Sequence, residues 1–538
     1  MKKYLVCVLL LVALAALAAC NRGEDGNGDG LGTVGQPFTQ ADLEVGDRLT
    51  LPLTDTTVTF TIWTHTAGML MGAGLEYIHE SYYYQELERR TGINIVTIHP
   101  PAGAEQENLN LMIATGDLPD IMEFTQAAMP PGGLSRAIED GLILDVVGLA
   151  ERYAPYYWDL IHGNEERRRQ AFTDEGLLPG FWEVHVPQPP WFGLTTRQDW
   201  LDELGLDTPI TFDDWHHALT LFRDEMGARA PMMLPNNGFM VFDVFHAGFN
   251  TTPNFYQVNG EVRFGPLGQN FRDYVEMMHQ WFSEGLIDQD FAARQMWIGP
   301  QDYTTTGLTG LWPDVYVLFP VNALISPDPN YRSVAVPPPV RHAGQTVHLA
   351  QKNQPIGTIL SITRDASDPV LITRWFNYVY SPPGSTLSNW GIEGQTFVYG
   401  PDGFPQFTPL MYDNPDELSL PEAIRVFVRA PGGGFHYDWR RELTPGIHPD
   451  VLEALDIWET NVDFAWLMPP ITLDADEGSE FAQIMSEINT HRDEMVARFI
   501  SGAESLDNFD AFINTIMGMG AQRAIEIQQA ALDRYNAR

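Results

Sequence analysis

The strongest constraint on the fold of this chain is a strand–helix–strand–helix–strand run between residues 57 and 124. Thr57 to Trp63 alternates and is rich in β-branched residues, which predicts a strand. Residues 74–90 carry a helical pattern that stops at Thr91 and Gly92, because glycine takes the left-handed conformation that closes a helix. Ile93 to Ile98 predicts a second strand. Glu105 to Thr115 predicts a helix with Leu109, Met112 and Ile113 on one face, closed by Gly116. Asp120 to Phe124 predicts a third strand. Strands joined by helices need right-handed crossovers, so the run predicts an α/β fold on a parallel sheet. Ligands of such sheets sit beyond the carboxyl ends of the strands. That singles out Trp63, Thr64, His65, Phe124 and Gln126.

Further along, Thr211 to Asp214 is a capping-box variant. Phe212, Trp215, Leu219 and Phe222 follow at helical spacing, so Trp215 reads as core. Residues 270–283 predict a helix with Phe271, Tyr274, Val275, Met278 and Phe282 inward. Thr358 to Thr363 reads as a buried strand, followed by Asp368-Pro369 and a helix through Tyr378. Residues 480–535 read as nearly all helix, with one stripe of Phe481, Ile484, Met485 and Ile488 and another of Ile525, Gln528, Ala531 and Leu532. Proline clusters at 187–190, 337–339, 382–383 and 469–470 mark connections. No period of 20–50 residues recurs, which argues against a solenoid.

A chain of 538 residues has room for two or three domains. It carries 71 Asp+Glu against 31 Lys+Arg, a net charge of −40, which argues against nucleic acid or an anionic surface as the main partner. Aromatic residues make up 12%, which argues against disorder. Lys2 and Lys3 precede an apolar run from Leu5 to Leu17, too short for a comfortable membrane span and typical of a signal peptide. Its end, Leu17-Ala18-Ala19-Cys20, resembles a bacterial lipobox. Residues 1–19 are then the signal, and Cys20 becomes the lipidated first residue of a flexible Gly- and Asp-rich tether over 20–48. The other cysteine, Cys7, lies inside the signal, so no internal disulfide is expected and core burial must supply the stability. Asp25, Asn27, Asp29 and Gly30 match the start of an EF-hand loop, but its twelfth place is Gln36. The segment reads as a spacer, and no metal or cofactor is expected.

Several stretches resemble one family. Glu86-Leu-Glu-Arg-Arg-Thr-Gly92 followed by His99 to Gly103 looks like the opening lobe of family 1 extracellular solute-binding lipoproteins of ABC importers. Asn110 to Ile121 is similar to their ASGDLPDI segment, and Thr196 to Leu206 to their RKDWLDKLGL helix. Thr373 to Tyr380, Asn389 to Gly394, Asn489 to Met495, Phe499 to Gly502 and Ala530 to Tyr535 match later parts in the right order. The resemblance implies a two-lobed, periplasmic-binding-protein-like (type II) α/β fold with a hinge and a helical C-terminal extension. Lobe 1 is expected over 49–185 and 313–378 and lobe 2 over 186–312 and 379–538, with crossings near 183–190, 306–313 and 378–385. It implies a monomeric, extracytoplasmic receptor on the bacterial cell membrane. The ligand would be an oligosaccharide, the protein partners ABC permease subunits, and the only membrane contact the N-terminal lipid.

Sugar rings present apolar faces ringed by hydroxyls, so their sites need aromatic platforms beside planar polar groups. The candidate ligand contacts are Trp63, His65, Phe124, Gln126, Trp191, Arg197, Trp312, Asp314, Trp390 and Glu393. Arg197 opens a helix, where it either pairs with the ligand or holds the lobe together. Asp117 reads as a turn residue and Trp200 as core. The chain departs from the family pattern at Thr309 to Val315, where Pro313 and Asp314 leave the identity of the sugar open. No G-x-S-x-G, H-E-x-x-H or Walker A pattern occurs, so neither a glycan-active enzyme nor the transport ATPase is expected. A sensor or adhesin on the same fold, or a receptor for a peptide or other solute, remains an alternative.

Overall fold

The computed structural model describes residues 48–538 except 66–73, 102, 126–127, 235–237, 241–242, 295–300, 415, 431 and 444–448. Cys20, the tether with its EF-hand-like loop, and Gln126 therefore lie outside the described residues. The expected run forms as β1 (Val58–Trp63), α1 (Tyr82–Thr91), β2 (Ile93–Ile98), α2 (Glu105–Thr115) and β3 (Ile121–Phe124). The first helix begins later than its pattern predicts, because Ser81 is extended and separates it from a single 3-10 turn at Ile78–Glu80. Gly92 closes α1 at φ 75°, and a Cβ there would meet Thr54 Oγ1 at 2.7 Å, so this position needs glycine on both counts.

β1 pairs in parallel with both β2 and β3. The sheet then continues with β4 (Phe181–His185), β10 (Ile356–Ile362) and β13 (His436–Tyr437), in the order β13-β4-β10-β3-β1-β2. β10 runs antiparallel between β3 and β4. Asp120 fixes this arrangement, accepting hydrogen bonds from Thr61 N and Oγ1 at 2.8 and 2.9 Å and from Ser367 N and Oγ at 2.8 and 2.7 Å. The short helix α3 (Glu165–Ala171) precedes β4, and Ser367 precedes the buried helix that starts at Pro369. These elements make up lobe 1.

Lobe 2 is built on β5 (Phe192–Arg197), flanked by antiparallel β8 (Leu311–Val315) and β9 (Ser333–Ala335). Thr211 and Asp214 form the expected capping box of α4 (Phe212–Asp224), whose Trp215 is fully buried. α5 (Gln269–Ser283) buries Phe271, Tyr274, Val275, Met278 and also Trp281. The expected terminal helices are α6 (Ala475–Ser501), α7 (Phe509–Gly518) and α8 (Ala521–Ala537). Their Met485, Ile488, Phe499, Phe512 and Ala524 join the lobe 2 core. α6 starts before 480 because Asp474 and Glu477 form a capping box.

The lobe division expected at 313 and 379 does not follow the sheets. β8 and β9 pair with β5, which keeps residues 311–335 in lobe 2, and β13 pairs with β4, which returns residues 436–437 to lobe 1. The chain passes between the lobes from His185 to Phe192, from Ala335 to Ile356, and from Tyr437 to Ala475. The crossings expected near 306–313 and 378–385 are thus displaced, since strand pairing between distant segments decides where they fall. Trp191, in the first passage, packs against both main cores.

Candidate functional site

A cavity of about 1180 Å³ opens beyond the carboxyl ends of β1 and β3. His65, Phe124 and Thr125 form one wall. Trp182 of β4 and Ile356 to Ile359 of β10 form the floor, Phe172 and Thr173 a side, and residues 470–474 with Gly478 and Ser479 of α6 the opposite rim. The cavity therefore lies between the sheet of lobe 1 and a helix of lobe 2. Among the described residues, the aromatic side chains that line it are Phe124, Phe172 and Trp182. Trp182 is held firmly. Its indole N–H donates to Ala171 O at 3.1 Å, its backbone N–H to Tyr157 Oη at 3.2 Å, and its carbonyl accepts from Tyr380 Oη at 2.5 Å.

Despite the acidity of the chain, His65 and Asp474 are the only ionisable side chains lining the cavity among the described residues. Asp474 is engaged as the cap of α6, accepting from Glu477 N at 2.8 Å. His65 Nδ1 sits 2.9 Å from Oε2 of the buried Glu123. The same carboxylate accepts from Thr64 Oγ1 at 2.5 Å, from His65 N at 3.3 Å and from Gly433 N at 3.1 Å. The Glu123 carboxylate beside the ring raises the proton affinity of His65 above its ordinary value, against the opposing effect of burial. Burial likewise opposes the charge of Glu123, but the contacts from His65, Thr64 and Gly433 outweigh it and hold its carboxyl below the usual range. Among the described residues, no group of three or more His, Cys, Asp or Glu side chains is placed to hold a metal ion.

At the rim, Asp174 of lobe 1 binds two arginines of the terminal segment. It accepts from Arg534 Nε at 2.9 Å and Arg538 Nε at 2.7 Å. Arg538 also donates to the carbonyls of Arg169 and Phe172 at 2.7 and 2.8 Å and to Thr472 Oγ1 at 3.1 Å.

Of the residues expected at the site, His65 and Phe124 line the cavity. Trp63 does not: it is fully buried, its indole N–H donating to Asn108 Oδ1 at 2.8 Å under α2. Trp191 lies in the hinge. Arg197 is buried in lobe 2, bound to Asp199 and Asp328 and stacked between Trp200 and Tyr331. Trp312 and Asp314 bond each other at 2.9 Å inside the lobe 2 sheet. Trp390 packs in a separate small core with Phe397 and Phe407, and Glu393 is exposed on the turn beside it. Trp182 and Phe172 also line the cavity, although neither is among the residues expected there from the sequence. A tryptophan just upstream of the proline cluster at 187–190 was the available signal.

Burial pushes the Asp314 carboxyl from 3.8 up to about 6, against hydrogen bonds from Trp312, Val315 and Asn322. The folded chain thus binds this proton more tightly than the unfolded chain does. Stability falls as pH rises from the ordinary carboxylate range to about 6, and the loss is about 3 kcal/mol at 1.36 kcal/mol per unit. Asp314→Asn mimics the protonated form. Its unfolding free energy relative to the native chain is expected to improve by about 2 kcal/mol of that amount between pH 4 and pH 7 in urea titrations. A difference independent of pH would contradict this.

The profile of a family described as bacterial extracellular solute-binding protein matches residues 77–386. The fructooligosaccharide ABC transporter substrate-binding protein FusA of Streptococcus pneumoniae is 25% identical over 342 residues, 59% of this chain and 60% of that protein. The polygalacturonan/rhamnogalacturonan-binding protein YtcQ of Bacillus subtilis is 23% identical over 215 residues, 38% of this chain and 41% of that protein. The matches thus span 60% or less of the length of these curated relatives. Among solved structures, the alginate-binding protein AlgQ2 without calcium ion superposes with a TM-score of 0.68 at 21% identity, covering 89% of this chain and 99% of that one. An HMO-binding, ABC-transporter-associated solute-binding protein of Bifidobacterium longum infantis gives 0.69 at 16% identity, with the same coverage. These likenesses show the two-lobed α/β fold.

Proposed function

We propose, since this chain belongs to the bacterial extracellular solute-binding protein family, that it is a receptor that binds an oligosaccharide between its lobes and delivers it to an ABC permease, tethered outside the membrane through lipidated Cys20. Family and fold are those of a binding protein rather than an enzyme. The observation that carries the sugar reading is the cavity itself. At about 1180 Å³ it exceeds the range of about 300–1,000 Å³ usual for small-molecule pockets, which favours an oligomeric ligand. Its rigid Trp182, with Phe172, offers flat apolar faces, and Thr125, Ser135, Thr173, Gln354 and Thr358 supply uncharged hydrogen-bonding groups around them. That combination suits a ring with apolar faces and a hydroxyl edge. Relatives named for binding fructooligosaccharide and polygalacturonan support the same class. Binding then favours the state in which the ligand touches both lobes, a population shift whose size equals the additional contacts made there.

The test is a thermal-shift and calorimetric screen against neutral and uronic oligosaccharides. A true ligand at about 100 times its dissociation constant stabilises the fold by about 2.7 kcal/mol. Trp182→Ala is expected to weaken that ligand by about tenfold or more, the loss of one buried aromatic contact. Turnover of the sugar, or a ligand whose affinity ignores Trp182→Ala, would count against the reading.

A further inference from the structure

We infer that Glu123 is a positioning residue that turns His65 into a hydrogen-bond donor aimed into the cavity, so that the site selects a ligand carrying an acceptor oxygen at that place. This deepens the oligosaccharide reading above and rests on it. Glu123 stands at the junction of three separate segments. It sits on β3, it receives Thr64 and His65 from the end of β1, and it receives Gly433 from the loop before β13. A Cβ at Gly432 would approach Glu123 Oε1 to 2.8 Å, so the loop closes tightly over the carboxylate. The side chain of Glu123 is 2% exposed and that of His65 20% exposed. The carboxylate is thus sealed in, and only the imidazole reaches the cavity.

Glu123 acts on the ring through its charge. Nδ1 lies 2.9 Å from Glu123 Oε2 as an ion pair outside hydrogen-bond alignment, so the carboxylate favours the cationic ring without fixing a tautomer. While the ring is cationic, both of its nitrogens are donors. When the ring loses its charge, one of the two N–H donors is lost. The charged groups around the ring act in both directions. Glu123 on β3 and Glu105 at the start of α2 favour the cation, whereas burial opposes it and His99 at the end of β2 interacts with like sign. The favourable contributions prevail, so the donor form extends above the pH at which a free histidine titrates. Either a uronate carboxylate or a neutral hydroxyl oxygen satisfies such a donor.

Two measurements on the full folded chain test this separately from the sugar reading. The His65 ring is titrated by nuclear magnetic resonance without ligand. The midpoint is expected above that of a free histidine, and in Glu123→Gln it should fall below the native midpoint. Should that variant not fold, Glu123→Asp, which keeps the charge but withdraws it, is expected to lower the midpoint part of the way. A midpoint indifferent to both changes overturns the proposal. In the second measurement, a galacturonate trimer and kestose are titrated between pH 5 and pH 9. The galacturonate trimer, whose carboxylates only accept, is expected to lose about tenfold in affinity per pH unit above the His65 midpoint, with the loss starting at lower pH in Glu123→Gln, whereas kestose, whose hydroxyls also donate, is expected to lose less. Binding that is flat with pH in both proteins overturns the donor role. If neither sugar binds while the midpoint shifts as expected, the choice of ligand class fails and the Glu123–His65 pair stands.

Discussion

Asp174→Ala is expected to lower the unfolding free energy by about 3 kcal/mol and to weaken ligand binding at the same time. Asp174 is the acceptor for both Arg534 and Arg538, and the Arg538 side chain is 4% exposed. Once the carboxylate is removed, Arg538 remains buried among the carbonyls of Arg169 and Phe172 without a counter-charge. Breaking a buried pair in this way costs about 3–5 kcal/mol. The lower end applies because Arg534 is 32% exposed and keeps Glu477 as a second partner. The ligand effect follows from where the residues sit. Asp174 belongs to lobe 1, whereas α8 is bound to lobe 2 through Gln529, which accepts from Val262 N at 2.8 Å. Burial limits screening, so the loss should persist in molar salt. A surface pair such as Arg136–Asp140, with both side chains about half exposed, should contribute no more than about 1 kcal/mol and fade with salt. Urea titrations at low and molar salt decide this. An unchanged midpoint, or a loss that disappears in salt, would remove the interlobe role of Asp174.

The same interlobe ties explain what could be read from the sequence and what could not. The run from β1 to β3 was legible because each signal is local: alternation over six residues, a helical stripe, and a glycine that accepts positive φ at 92 and again at 116. The capping box at Thr211 and Asp214 is equally local. Lobe membership is not. The pairings of β9 with β5 and of β13 with β4 join segments far apart in the chain, and nothing within either short strand names its partner. Tryptophans suffered from a related ambiguity. Trp63 and Trp312 both lie at strand ends, but helices cover the sheets, so the end of a strand does not tell whether a ring faces the cavity or the core. Trp63 turned towards Asn108 and Trp312 towards Asp314. Trp182, in a strand with apolar contacts on both faces, carried no marker of its own beyond its place before the hinge.

Gly193→Ala is expected to destabilise the protein by about 3 kcal/mol, the upper end of ordinary overpacking. Gly193 is the second residue of β5, just after the first passage between the lobes. A Cβ there would fall 2.5 Å from Cδ1 and Cδ2 of Trp458, far inside any tolerated contact. The ring cannot easily yield. Trp458 is 3% exposed, its indole N–H donates to Leu194 O at 2.9 Å, and its ring stands edge-on to Phe319 with centroids 6.1 Å apart. Trp458 counts among the lobe 1 core while resting on a lobe 2 strand, so displacing it disturbs the seam from which the hinge moves. Trp458→Ala alone should cost about 3–5 kcal/mol through the cavity it leaves. In the double variant the alanine at 193 has no ring to strike, so the combined cost should fall short of the sum by more than 1 kcal/mol, as contacting residues show in double-mutant cycles. Strict additivity would mean that the ring is not what forbids a side chain at 193. The cause would then lie in the strand backbone itself, since Phe192 and Leu194 project from the opposite face of β5.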